Sequence, residues 1–201
     1  GLFANVPGSL VGWCHRELEA DVLREPPEFH VPHTAIPMLA RFVEMTVYAA
    51  VRVDVRHLDR RRKRGIIEHL VFGPPDFSFV LPDDRGDIKA DALSFGEKRL
   101  LSFLWYLECN KTTVIADELV NGFHHAWIER CVELIGDRQA FLASQNPLLL
   151  DCLPLKDEDY VRRCFITCRR GPETEGQMQW SNISAEEAAD AIAWAEPDVL
   201  L

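Results

Sequence analysis

Apolar residues recur along this chain with two spacings, and the change from one to the other marks the expected elements. From Thr34 to Leu70, "IPMLARFVEMTVYAAVRV" followed by "RHLDRRRKRGIIEHL" carries the spacing of a helical face. It predicts one or two helices, broken near Val53 or Gly65. "GPPDFSFVLPDDRGD" then predicts a short alternating strand, Phe77 to Leu81, between turn formers. Beyond it the pattern becomes repetitive: helix from about Gly96 to Glu108, strand 112–116, helix from about His125 to Ile135, strand 139–143. The runs "TTVIA" and "QAFLA" are continuously apolar, as in central strands buried on both faces, and such alternation implies parallel βαβ units.

The two ends read less regularly. Pro7, Pro26, Pro27 and Pro32 surround "WCHRELEADVL", which predicts one short helix flanked by irregular chain. The tail predicts strands in "YVRRCFITCRR" and "QMQWSNI" and a helix from Ser184, where "SAEE" forms a capping box. The expected fold is α/β, a mostly parallel sheet flanked by helices, preceded by a mainly helical segment over 1–75.

A length of 201 residues suits one main globular unit. With 47% hydrophobic and 27% charged residues, the chain leaves little room for long disorder. Its net charge of -10 argues against a protein that grips nucleic acid with its whole surface. No apolar run reaches the roughly 18 to 20 residues that span a bilayer, and Gly1-Leu2-Phe3 lacks the basic start of a secretory signal, so a cytoplasmic location is expected. The six cysteines, Cys14, Cys109, Cys131, Cys152, Cys164 and Cys168, form no CxxC pair and read as buried reduced thiols. Cys164 and Cys168 are expected on one face of a strand, without the histidines a zinc site needs.

Three motifs carry chemistry. In "ALSFGEKRLLSFLWYL" (92–107), Ser94 takes an N-cap position, Glu97 completes a capping box, and Gly96 lets the backbone approach something closely. Such a helix N-terminus suits an anion, although a plain amphipathic helix explains Leu100, Leu101, Phe103, Leu104 and Leu107 equally well. In "TTVIADELVNGFHH" (112–125), Asp117 and Glu118 end a buried strand, where Asp117 could hold Mg²⁺ and Glu118 could deprotonate an attacking water. A cap for the next helix is the plainer reading. In "FLASQNPLLLD" (141–151), Gln145 ends the next strand at the same sheet edge, or else simply forms a turn before a helix at Pro147.

Taken in order, "LSFGEK", "VIADE" with "NGFHH", and "ASQNP" resemble the second half of an ABC-type ATPase domain of the SMC, RecF and OLD-like group, which includes the AAA-like ATP-binding proteins of phage-defence operons. The resemblance implies the signature loop, the Walker B strand with its D-loop, and the switch loop of a P-loop NTPase. By position, Ser94, Phe95, Gly96 and Glu97 would form the signature loop, with Ser94 and Gly96 facing the γ-phosphate of ATP held by an opposite subunit. Asp117 would serve Mg²⁺, Glu118 the hydrolytic water, and Asn121, Gly122 and His124 the dimer interface. Gln145 stands where the group usually has a phosphate-sensing histidine. It can hydrogen-bond but cannot carry a proton charge. Phe95 replaces a glycine common in transporter signatures, which fits the SMC and RecF side better. Residues 76–201 are thus expected to be the ATPase-like portion.

One part is lacking. None of the eleven glycines is followed directly by Lys, so the chain has no GxxxxGK[ST] loop to cradle phosphates, and no two glycines are one residue apart as GxGxxG requires. Either the chain is the C-terminal portion of a longer ATPase, the reading favoured by a first residue that is not Met, or it is a degenerate relative that uses a partner's site. Two functions follow: an ATPase, active only when complemented, whose ATP-dependent dimerisation gates an effector or nucleic-acid partner; or a non-catalytic assembly or nucleic-acid-binding module.

The remaining polar clusters are weaker. "RRRKR", Arg60, Arg61, Arg62, Lys63 and Arg64, is the one dense basic run. On a helix it would be a solvated face, or else a contact to DNA or RNA phosphates. His124 and His125 would diverge by about 100° on a helix and match no zinc spacing. "LKDEDY" (155–160) lacks the second carboxylate group that a metal nuclease would need.

Overall fold

Val51, Val53 and Val55 are buried and the residues between them point outward, so "AVRVDV" alternates with the period of a strand. The computed structural model describes residues 5–20, 29–55, 58–63, 66–82, 85–171 and 176–195. It divides into two compact units, Gly1–Asn146 and Pro147–Leu201. In the first, α1 (Gly8–Glu19), β1 (Phe29–Pro32), α2 (Pro37–Met45), β2 (Ala50–Val55), β3 (Leu58–Lys63), β4 (Ile66–Phe72), β5 (Pro75–Val80) and β6 (Asp87–Lys89) precede α3 (Phe95–Cys109), β7 (Thr113–Asp117), α4 (His125–Ile135) and β8 (Gln139–Ala143).

Within 1–75, the short N-terminal helix is present as α1, and of the longer stretch expected to be helical from Thr34 only α2 is an α-helix. The described residues between Ala50 and Phe72 are strand, because β-branched residues at alternate positions of β2 fit a pleated, half-buried surface better than a helix. The expected division at 75/76 cuts through β5, which pairs antiparallel along the whole of β2. Four strands form a sheet in the order β1-β2-β5-β6, and β3 and β4 form a separate antiparallel ladder. Among the described residues parallel pairing is confined to β7 and β8, which the helical crossover through α4 joins, and the other pairs are antiparallel, so the sheet is not mostly parallel.

The first unit's core lies where α3 meets α2 and the four-stranded sheet. Leu100, Leu104 and Leu107 of α3 are fully buried, as are Leu39 and Phe42 of α2, and each such side chain contributes about 1.5–3 kcal/mol on leaving water. Trp105 meets Phe77 edge-on at 5.3 Å, and Phe42 lies 5.4 Å from Phe79. Glu108 is buried and satisfied: its carboxylate accepts from Ser9 Oγ at 3.0 Å, Lys111 Nζ at 2.9 Å and the Met38 backbone N–H at 3.3 Å. It ties α1 and the start of α2 to the far end of α3.

Strands β7 and β8 fall at the expected residues, but they are not buried on both faces. Their register partners Ile115 and Phe141 are 68% and 52% exposed.

In the second unit, Pro147–Cys152 forms 3₁₀ turns in place of the expected helix, and α5 (Glu158–Cys164) replaces the first half of an expected strand. Then come β9 (Ile166–Arg170), β10 (Met178–Asn182) and α6 (Ala185–Ala195), packed around Val161, Ile183 and Ala188. Ser184 and Glu187 form the capping box read from "SAEE". Asp157 of "LKDEDY" caps α5, accepting from the Tyr160 N–H at 2.7 Å, which gives that acidic run a structural use. Cys164 ends α5 while Cys168 lies on β9, so the two do not share a strand face. Burial is as read for Cys14 and Cys131, whose thiols it pushes up to about 12; Cys164 and Cys168 are exposed. Among the described residues no helix is long and apolar enough to cross a membrane.

Candidate functional site

The parallel pair ends in a sharp turn built on a carboxylate. Glu118 has φ 52°, a left-handed conformation that an L side chain adopts at a cost of roughly 1–3 kcal/mol. Its N–H donates to the Ala143 carbonyl at 2.7 Å, extending the β7–β8 ladder by one bond. Its Oε1 accepts from the Gln145 backbone N–H at 3.2 Å. The carboxylate is thereby held across the C-terminal end of β8, half-buried.

Three successive carbonyls of this turn face one guanidinium. Arg99, on the first turns of α3, donates from Nη2 to the Asp117 carbonyl at 2.9 Å and to the Glu118 carbonyl, and from Nε to the Leu119 carbonyl at 3.4 Å. The Glu118 carbonyl also accepts from the Asn121 N–H at 3.2 Å.

The start of α3 is fixed twice over. Ser94 Oγ accepts from the Glu97 N–H at 3.3 Å while Glu97 Oε2 accepts from the Ser94 N–H at 2.8 Å, a complete capping box. Burial alone would raise the Glu97 carboxyl, but hydrogen bonds from Ser94 and from the Tyr48 hydroxyl hold it below the ordinary glutamate value. Tyr48 moves the other way, up to about 12, through burial and then Glu97. The close approach that Gly96 permits is to its own chain: a Cβ there would lie 2.5 Å from the Gly122 carbonyl oxygen. Gly122, at φ 81°, would in turn drive a Cβ to 2.7 Å from the Phe95 ring. The loops at 94–97 and 121–124 are therefore interlocked.

The structure brings Glu118 to Gln145, although through the backbone N–H of Gln145 and not through its amide. It brings Phe95 and Gly96 to Gly122. Asp117 is an exposed carboxylate at the end of β7, next to the Glu118 turn. Among the described residues no three His, Cys, Asp or Glu side chains gather into a ready-made metal site. A single exposed carboxylate suits Mg²⁺, which keeps several waters and takes its other ligands from phosphates. His124, at the N-cap of α4, packs against Trp127 with ring centroids 4.5 Å apart and planes tilted by 42°, and Trp127 Nε1 donates to the Met45 carbonyl at 2.8 Å. The basic run lies on β3, not on a helix; Arg64 falls outside the described residues.

Sequence reasoning missed Arg99, Tyr48 and Tyr106, whose hydroxyl accepts from the Ile115 N–H at 3.0 Å. Arg99 could have been noticed as a charge beside the apolar stripe of α3. Tyr48 sat inside the stretch read as helix and offered no such signal.

A family described as "AAA domain, putative AbiEii toxin, Type IV TA system" matches residues 21–151, well over half of the chain and all three motifs. The chain belongs to this family. It is an AAA domain. Two solved structures are similar to this AAA domain. One comes from work on "ATP-driven dimerization and DNA stimulated activation of SMC ATPases", with 12% identity, a TM-score of 0.47, and coverage of 83% of this chain and 96% of that one. The other is an Smc head domain with a coiled coil and joint derived from Pyrococcus yayanosii, with 12% identity, a TM-score of 0.48 and coverage of 80% of this chain. The AAA domain spans 28% of that second chain's length. No curated protein matches.

Proposed function

We propose that this AAA domain supplies the hydrolytic half of an ATPase site and works when a GxxxxGK[ST] segment completes it. Asp117 would hold Mg²⁺, whose charge would offset that of the ATP phosphates. Glu118 orients the attacking water and takes its proton, and Gln145 hydrogen-bonds the phosphate or the water without carrying charge. Ser94, Phe95, Gly96 and Glu97 present a helix N-terminus to the γ-phosphate bound by a second copy, beside Asn121, Gly122 and His124 at the same interface. ATP thus joins two copies, and their separation after hydrolysis gates an effector.

The observation that carries this reading is the Glu118 turn: a strained carboxylate, held at the C-terminal end of a parallel strand pair, 3.2 Å from the Gln145 N–H. Strain of this kind concentrates where geometry serves chemistry. The exposed Ile115 and Phe141 support complementation, since a parallel pair ordinarily has both faces covered. With a GxxxxGK[ST] segment present, Glu118→Gln should lose ATP turnover by a factor of roughly 10² or more while ATP still holds two copies together in sedimentation. Turnover at the parent rate would remove Glu118 from the role of base.

A nucleic-acid partner is a second component of this reading, supported by four consecutive basic residues, Arg60 to Lys63, on one strand of the β3–β4 ladder.

A further inference from the structure

We propose that Arg99 is a positioning residue that aims the Glu118 carboxylate and couples it to the 94–97 loop. The proposal rests on the reading of Glu118 as the hydrolytic base. Residues 117–119 change from strand to a left-handed turn at Glu118, and their carbonyls converge on one side. The Arg99 fork reaches all three. A guanidinium offers five N–H groups in a fixed plane, and here two of its nitrogens reach three converging carbonyls from one anchor.

Arg99 lies five residues after Ser94 on α3, so displacement of the start of α3 moves the fork, and the fork moves the turn. The contact between Gly96 and Gly122 links the same two segments a second time, two residues beyond Val120. At the far side, Glu118 reaches β8 only through its own N–H to Ala143 and its carboxylate to Gln145. Without Arg99, the left-handed turn has only the Asn121 and Phe123 N–H bonds within it to favour its geometry, and the carboxylate leaves the Gln145 N–H. Arg99 itself touches no substrate: it acts through Glu118.

The test begins with the chain alone and needs no nucleotide. In ¹⁵N NMR at one fixed pH, the hydrogen bond to the Glu118 carboxylate should hold the Gln145 amide proton downfield, and Glu118→Gln should abolish that shift. Arg99→Met keeps the aliphatic stem and should abolish it too, while the Ser94 and Glu97 amides still report an intact capping box. Arg99→Lys keeps the charge without the fork and should restore less than half of the shift. A parent-like Gln145 amide shift in Arg99→Met overturns the proposal. So does full restoration by Arg99→Lys, because charge alone would then suffice. If both variants lose the capping-box signals as well, Arg99 merely holds the fold, which also overturns it. In the completed ATPase, Arg99→Met should lower kcat roughly 10- to 100-fold with KM for ATP within about twofold of the parent. An NMR result as expected in an assembly that hydrolyses no ATP would instead count against the ATPase reading and leave the positioning role standing.

Discussion

Gly96 and Gly122 meet so closely that neither tolerates a methyl group. A Cβ at Gly96 would sit 2.5 Å from backbone oxygen, which cannot swing away as a side-chain end can, and Gly122 adds a φ of 81°. Gly96→Ala and Gly122→Ala should each destabilise the first unit by about 1–3 kcal/mol, read as a fall in thermal midpoint; midpoints equal to the parent's would show that the two loops are not interlocked. The need for a small residue at 96 was readable from its place at a helix start. What it approaches was not, because Gly122 lies 26 positions away and only tertiary packing unites them. Glu118 shows the same limit. Its position after an apolar run marked a site carboxylate, but its left-handed backbone and its bond to the Gln145 N–H depend on β8 and on Arg99, which no local pattern reveals.

Helix α3 was read almost to its ends because the capping box, the apolar stripe and the first-turn glycine agree with one another. Its cap also has a pH signature. The folded Glu97 carboxyl is held below its ordinary value of 4.5, so its contribution to stability is present above that value and is lost as pH falls through the depressed folded value. The stability gap between the parent and Glu97→Gln should therefore narrow on acidification below 4.5; a gap that is constant or widens would remove the charged cap. Strands β2 to β4 were misread because "VYAAVRV" satisfies helical spacing as well as alternation, and the β-branched residues at 51, 53 and 55 decided for the strand. Moving the basic run from helix to strand changes its geometry. Residues on a strand alternate between two faces, whereas on a helix they spread around the whole circumference. Replacing Arg60, Arg61 and Arg62 together with Ala should weaken binding to duplex DNA and lower the salt slope by about 2 to 3. Parent binding with no salt dependence would dispose of this surface.

At the scale of the whole molecule, the motifs proposed for hydrolysis stand on a parallel pair that is two-stranded among the described residues and exposed on one face. Ile115 and Phe141, side by side and more than half exposed, lie on the two strands whose ends carry Asp117, Glu118 and Gln145. A two-stranded sheet is marginal in water, and an α/β site needs its phosphate loop on a neighbouring strand. The lack of GxxxxGK[ST] was legible in the sequence; which residues of the pair lie open required the register of β7 against β8. The most direct measurement is Mg²⁺-dependent ATP turnover by the purified 201-residue chain, with and without a GxxxxGK[ST]-bearing segment. Turnover should stay at background for the chain alone and appear when the segment is added. A clear Mg²⁺-dependent rate from the chain by itself would contradict the account, as would silence in the completed assembly.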